Sequence, residues 1–214
     1  MCSNCMNNSG CGRSSDGDKC KNLGPFIAVD AACLQPEPPK QPAYGSLIPF
    51  SSGLTPATLV SLANGLIGTT TLVGLGSNVP GVTIAGNAIT LPVIGNEALS
   101  VPRAGSINAI SAAFRVTTAI ALLPGTVTIN AQIYKAPAGT TTFNATTASV
   151  DLTPIAGAIA VNTTVFGSEN AFTPVSVAMG DRLLMVFSIT VVGALGIDLI
   201  TTVIGDASAG INIE

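Results

Sequence analysis

From Tyr44 onward the chain is cut into short β-branched runs by glycine, proline and asparagine, and this punctuation limits the folds open to it. Strands are predicted at Leu47–Phe50, Leu66–Leu75, Val82–Ile84, Ala88–Leu91, Ala98–Val101 and Ser106–Ala121. Further strands are predicted at Thr126–Lys135, Thr147–Leu152, Ile159–Phe166, Pro174–Ala178, Arg182–Val192, Ile197–Ile204 and Ala209–Ile213. Turns are expected at Pro80-Gly81, Gly86-Asn87, Gly95-Asn96, Ala104-Gly105, Pro124-Gly125, Ala138-Gly139 and Gly180-Asp181. Between Thr126 and Tyr134, Val127, Ile129, Ala131 and Ile133 alternate with polar neighbours, the period of a half-buried strand. Arg182 to Val192 alternates poorly, as a strand buried on both faces does. Many short strands at this spacing predict an all-β sandwich, most simply a jelly roll.

Such a sandwich should show charge on its outward positions, since soluble domains carry about 25 % charged residues. This chain carries 9 %. Residues 44–214 hold eleven charges, with threonine, asparagine, alanine and valine in their place. A surface of that kind is expected to be covered by copies of itself, as trimers or stacked assemblies. Arg115 and Asp198 stand in otherwise apolar segments. They are candidates for a charge pair that sets register across a subunit interface; an ordinary internal ion pair or a place on the strand's solvent face is the commoner explanation of such residues.

The same inventory excludes several functions. With no histidine there is no Ser-His-Asp triad, no Cys-His pair and no imidazole metal ligand. A net charge of −3 without a basic stripe argues against nucleic acid. Asp198 and Asp206 are too far apart along one predicted stretch to act as a carboxylate pair. No catalytic residue, cofactor or metal is therefore expected. Mean hydropathy is +0.58, yet the longest strongly apolar run, Leu183 to Ile197, falls short of the about 20 residues a spanning helix needs. No membrane partner is expected, and the first residues, MCSNCMNNSG, lack the pattern of a secretory signal.

Residues 1–43 follow other rules. They hold all five cysteines, Cys2, Cys5, Cys11, Cys20 and Cys33, in a polar, glycine-rich setting that predicts a flexible leader. Pro25 to Leu34 is apolar enough to pair as a strand, with Phe26, Ile27 and Val29 as its candidate contacts. The proline-rich spacer 35–42 (QPEPPKQP) then separates the leader from the β-domain, 44–214. Three chemistries compete for the cysteines. A zinc site lacks a second C-x-x-C. A redox C-x-x-C lacks its βαβ context. Disulfides between subunits suit an odd number of thiols on a tethered leader and are the preferred expectation.

Particular blocks add a resemblance. YGSLIPFSSG (residues 44–53), GLIGTTTLVGLGS (65–77) and ALSVPRAGSINAISAAF (98–114) resemble the C-terminal domain of exosporium collagen-like glycoproteins of the Bacillus collagen-like protein B type. TVTINAQIY (126–134), GDRLLMVFS (180–188) and GIDLITTVIGDASAGINI (196–213) extend the likeness over about four-fifths of the chain. The resemblance implies a tumour-necrosis-factor-like jelly roll that trimerises. It also implies a protein made in the mother cell without a secretory signal and deposited on the endospore surface. Family members place a collagen stalk before this domain, whereas here the cysteine leader stands in that position and no G-X-Y period occurs. Leader plus trimer is similar to the subunits of pilus-like endospore appendages, which implies a homo-oligomeric, disulfide-locked fibre. Rival expectations are a non-fibrous exosporium shell or anchoring protein, with a spore coat or exosporium partner, and a carbohydrate-binding adhesin. The adhesin reading is weakened by the lack of tryptophan and the presence of only Tyr44 and Tyr134.

Overall fold

A computed structural model of the chain describes residues 45–62, 66–90, 97–118, 125–193 and 201–214. The described residues form an all-β, antiparallel structure without helix, as the punctuation predicts. The cysteine leader, its Phe26, Ile27 and Val29 segment, the spacer and Asp198 lie outside the described residues.

Two groups of long strands carry the architecture. In the first, β1 (Ser46–Ser51) pairs with β14 (Thr202–Ile213), β14 with β7 (Gly105–Val116), and β7 with β11 (Thr164–Glu169). In the second, β3 (Ile67–Val73) pairs with β13 (Arg182–Gly193), β13 with β8 (Gly125–Ala136), and β8 with β9 (Thr142–Asp151). Strand β2 (Ala57–Ser61) joins the groups by pairing with both β14 and β3. Short strands complete the set: β4 (Asn78–Thr83) on β3, β5 (Ala88–Thr90) on β9, β6 (Leu99–Ser100) on β13, β10 (Ile155–Ala156) on β8 and β12 (Val175–Val177) on β7.

Alternation along these strands builds the core. Strand β8 buries Val127, Ile129, Ala131 and Ile133, the residues its period selects. Strand β13 buries Leu183, Met185, Phe187 and Ile189 beside them, while β7 and β14 add Ile107, Ile110, Phe114, Val203, Ala207 and Ile211. Strands β7 and β13 share no ladder, yet the rings of Phe114 and Phe187 lie 6.3 Å apart, tilted by 42°. The two groups therefore meet face to face as a sandwich. Burying side chains such as these contributes about 1.5–3 kcal/mol each.

Strand β13 is buried on both faces, as expected, and its second face has a definite cover. Leu184 and Val186 join Leu72, Ile89, Tyr134 and Phe143 in a smaller cluster on the outside of the second group. Val79, Val82 and Ile84, in and just after β4, pack over it.

Three local expectations are corrected. Pro80-Gly81 does not turn the chain: both residues lie inside β4, where they face Thr71 alone and Gly81 takes φ +79°. This is a bulge, which uses a positive-φ glycine as a turn would. The segments Ile197–Ile204 and Ala209–Ile213 are not two strands broken at Gly205, because β14 runs unbroken from Thr202 to Ile213. A Cβ on Gly205 would stand 2.3 Å from the Arg115 carbonyl oxygen and 2.4 Å from the Phe114 ring. The glycine is there for close packing. Strand β11 begins at Thr164, so the first part of the predicted Ile159–Phe166 strand is instead a turn around Asn162 at φ +67°. Strand β2 was not expected. Its ATLVS run is short, and the Thr71 hydroxyl, which donates to the Thr58 carbonyl (2.7 Å), helps hold it.

Candidate assembly interface

The outer face of the first group can be read directly from its register, because residues directly opposite share a face. One row is Leu47, Asn212 and Ala109, and the next is Pro49, Gly210, Ser111 and Ser168. A third is Ser51, Ser208, Ala113 and Phe166, and the last is Asp206, Arg115 and Thr164. Side chains across the middle are small, so the face is low in relief, while Leu47 and Phe166 stand 77 % and 70 % exposed at its margins. A cavity of about 280 Å³ opens on it between Leu47, Ala109, Ser111, Ser168, Gly210 and Asn212.

The polar groups of this face are largely satisfied within the chain. Ser168 donates to the Ser111 hydroxyl (2.9 Å), Ser111 to the Gly167 carbonyl (3.3 Å), and the Asn212 amide to Asn108 Oδ1 (2.9 Å). Covering such a face with protein costs little, because the bonds that replace water already exist. At the β1 margin, Pro49 has no N–H to offer, and Ser51 exchanges hydrogen bonds with the β3–β4 turn at Gly74 and Gly76.

Arg115 is on this face and exposed, as one of its expected explanations requires, but its partner among the described residues is Asp206. Its Nε donates to Asp206 Oδ2 at 3.1 Å, and a second guanidinium nitrogen binds the same oxygen. Asp206 sits directly opposite Arg115 in the β7–β14 ladder. Asp206 falls between the predicted strands Ile197–Ile204 and Ala209–Ile213, whereas the continuous β14 gives it the outward parity. Among the described residues no group of three histidine, cysteine, aspartate or glutamate side chains gathers as metal ligands, and no helix is long and apolar enough to cross a membrane.

No family model matches the chain. Over 102 residues it is 35 % identical to collagen-like protein 1 of Acanthamoeba polyphaga mimivirus, covering 44 % of this chain and 11 % of that protein. The chain thus spans about a tenth of the length of this relative. Part of the chain is therefore similar to a collagen-like protein, while the chain itself has no G-X-Y period.

Proposed function

We propose that the protein is a self-assembling structural subunit of the bacterial endospore surface. Copies associate through the outer face of β1, β14, β7 and β11, and the cysteine leaders then cross-link neighbours into a pilus-like fibre. The observation that carries this reading is a face of small side chains whose hydroxyls and amides are largely bonded within the chain, with the Arg115–Asp206 ion pair at one end and Glu169 beside the cavity. Strand order supports the jelly-roll part of the reading. The chain alternates between the groups as β1, β3, β7, then β8 and β9 together, then β11, β13 and β14. This alternation supports a jelly roll of the tumour-necrosis-factor-like kind that the resemblance implies, and with it the proposed trimer.

In this mechanism the apolar leader segment around Phe26, Ile27 and Val29 adds to a neighbouring subunit as a strand. Disulfides from Cys2, Cys5, Cys11, Cys20 and Cys33 hold it there, each worth about 2–4 kcal/mol and acting mainly against dissociation. Lysis of the mother cell supplies the oxidising surroundings that cytosolic thiols lack.

Electron microscopy of the purified, oxidised full chain tests the proposal. Fibres that persist in denaturant and fall apart on adding reductant are the expected result. Discrete trimers without polymers, even after oxidation, would overturn the fibre and leave a non-fibrous shell or anchoring protein.

A further inference from the structure

The second group has its own outer face, and the β4 segment covers only the apolar half of it. Beside that cover lies an open trough of about 340 Å³. Its floor is a register grid. Asn130 on β8 faces Asp151 on β9 and Ser188 on β13; Gln132, two residues along, faces Ser149 and Val186. Strands about 4.8 Å apart and side chains spaced by two residues set these groups out as a regular array. Tyr134 and Val186 continue the floor, and Ile67 and Ile84 form apolar walls.

The array is pre-oriented. The Asn130 amide donates to Ser149 Oγ (2.9 Å) and to Asp151 Oδ1 (2.8 Å), which fixes its own Oδ1 as a spare acceptor. The Gln132 amide donates to the Thr146 carbonyl (2.8 Å), and its Oε1 and second N–H have no partner among the described residues. Ser188 is 5 % exposed, lines the trough, and its hydroxyl has no partner among the described residues. The trough therefore presents spare donors and acceptors, one carboxylate and no cationic side chain among its lining residues.

We infer that this trough binds a neutral saccharide. A pyranose carries donors and acceptors around its edge and apolar C–H faces, and matches a grid of amides, hydroxyls and one carboxylate between isoleucine walls. An anionic ligand would meet Asp151 with no cation in the lining to offset it. The site is separate from the assembly face, so it stands or falls independently of how copies associate.

Saturation-transfer NMR on the full chain with methyl glycosides of glucose, galactose, mannose and N-acetylglucosamine tests the inference, with glucose 6-phosphate as the charged comparison. At least one neutral glycoside should bind, more tightly than the phosphate. Gln132→Leu and Ser188→Val should each weaken it by about tenfold, as loss of a hydrogen bond in a desolvated site does. Ser111→Ala, on the opposite face, should leave it unchanged. Thermal melting verifies that each variant is folded, and Ser188→Ala provides a milder probe if Ser188→Val is not. No signal from any glycoside, or a signal that survives both trough substitutions, would overturn the assignment.

Discussion

Tyr134 has its ring among Leu72, Ile89 and Phe143 and its body in the floor of the trough. Burial raises its phenol above the ordinary value by desolvating the phenolate. A raised folded-state value means that the folded chain keeps a proton the unfolded chain has released. The stability this represents is fully present below the unfolded value of about 10 and is lost as pH rises through the folded one. The denaturant midpoint should therefore start to fall only beyond about pH 10, and Tyr134→Phe should flatten that fall. An alkaline limb identical in the variant would contradict the assignment. The Arg115–Asp206 pair differs in kind. Its side chains are 56 % and 36 % exposed, so solvent screens the attraction and the pair is worth about 0–1 kcal/mol to a single chain. Its value lies in keeping two charges matched if the face is covered.

Among the elements, β14 connects most of the molecule, since it pairs with β1, β2 and β7. Gly205 lets it pass Phe114 at contact distance, and neither the Arg115 backbone nor the core ring can move aside freely. Gly205→Ala should cost about 1–3 kcal/mol in equilibrium denaturation, as overpacking does. A variant as stable as the parent would show that β14 has room the contacts deny. The long strands were legible because their alternation is strong: Val127 to Ile133 in β8 and the doubly apolar β13 leave little choice of face. Gly205 and Pro80-Gly81 misled because a glycine required by a neighbouring ring, or by a bulge, has the same letter as one that turns the chain. Strand β2 is five residues held partly by side-chain bonds to β3, a long-range fact with no local period. The assembly face and the trough share that difficulty. Pro49, Gly210, Ser111 and Ser168 are scattered in sequence and become a row only through register.

At the scale of the whole molecule, the low charge acquires a location. Middle positions of the first group's outer face carry serine, alanine and glycine, with the Arg115–Asp206 pair at one end, whereas the second group's outer face carries the amides and carboxylate of the trough. The two faces thus differ in chemistry, as the proposed self-association on one and ligand contact on the other require. We propose the first face as the contact between copies. Ser111 stands mid-row, exposed and opposite Gly210, so Ser111→Glu projects outward without entering the core. Burying its unpaired carboxylate between copies would cost several kcal/mol. Sedimentation velocity of the full chain under reducing conditions removes disulfides from consideration and reads this contact alone. The parent is predicted to sediment as an oligomer, and Ser111→Glu as a monomer with an unchanged melting transition. A parent that is already monomeric, or a variant that sediments with it as the same oligomer, would show that copies do not meet through this face.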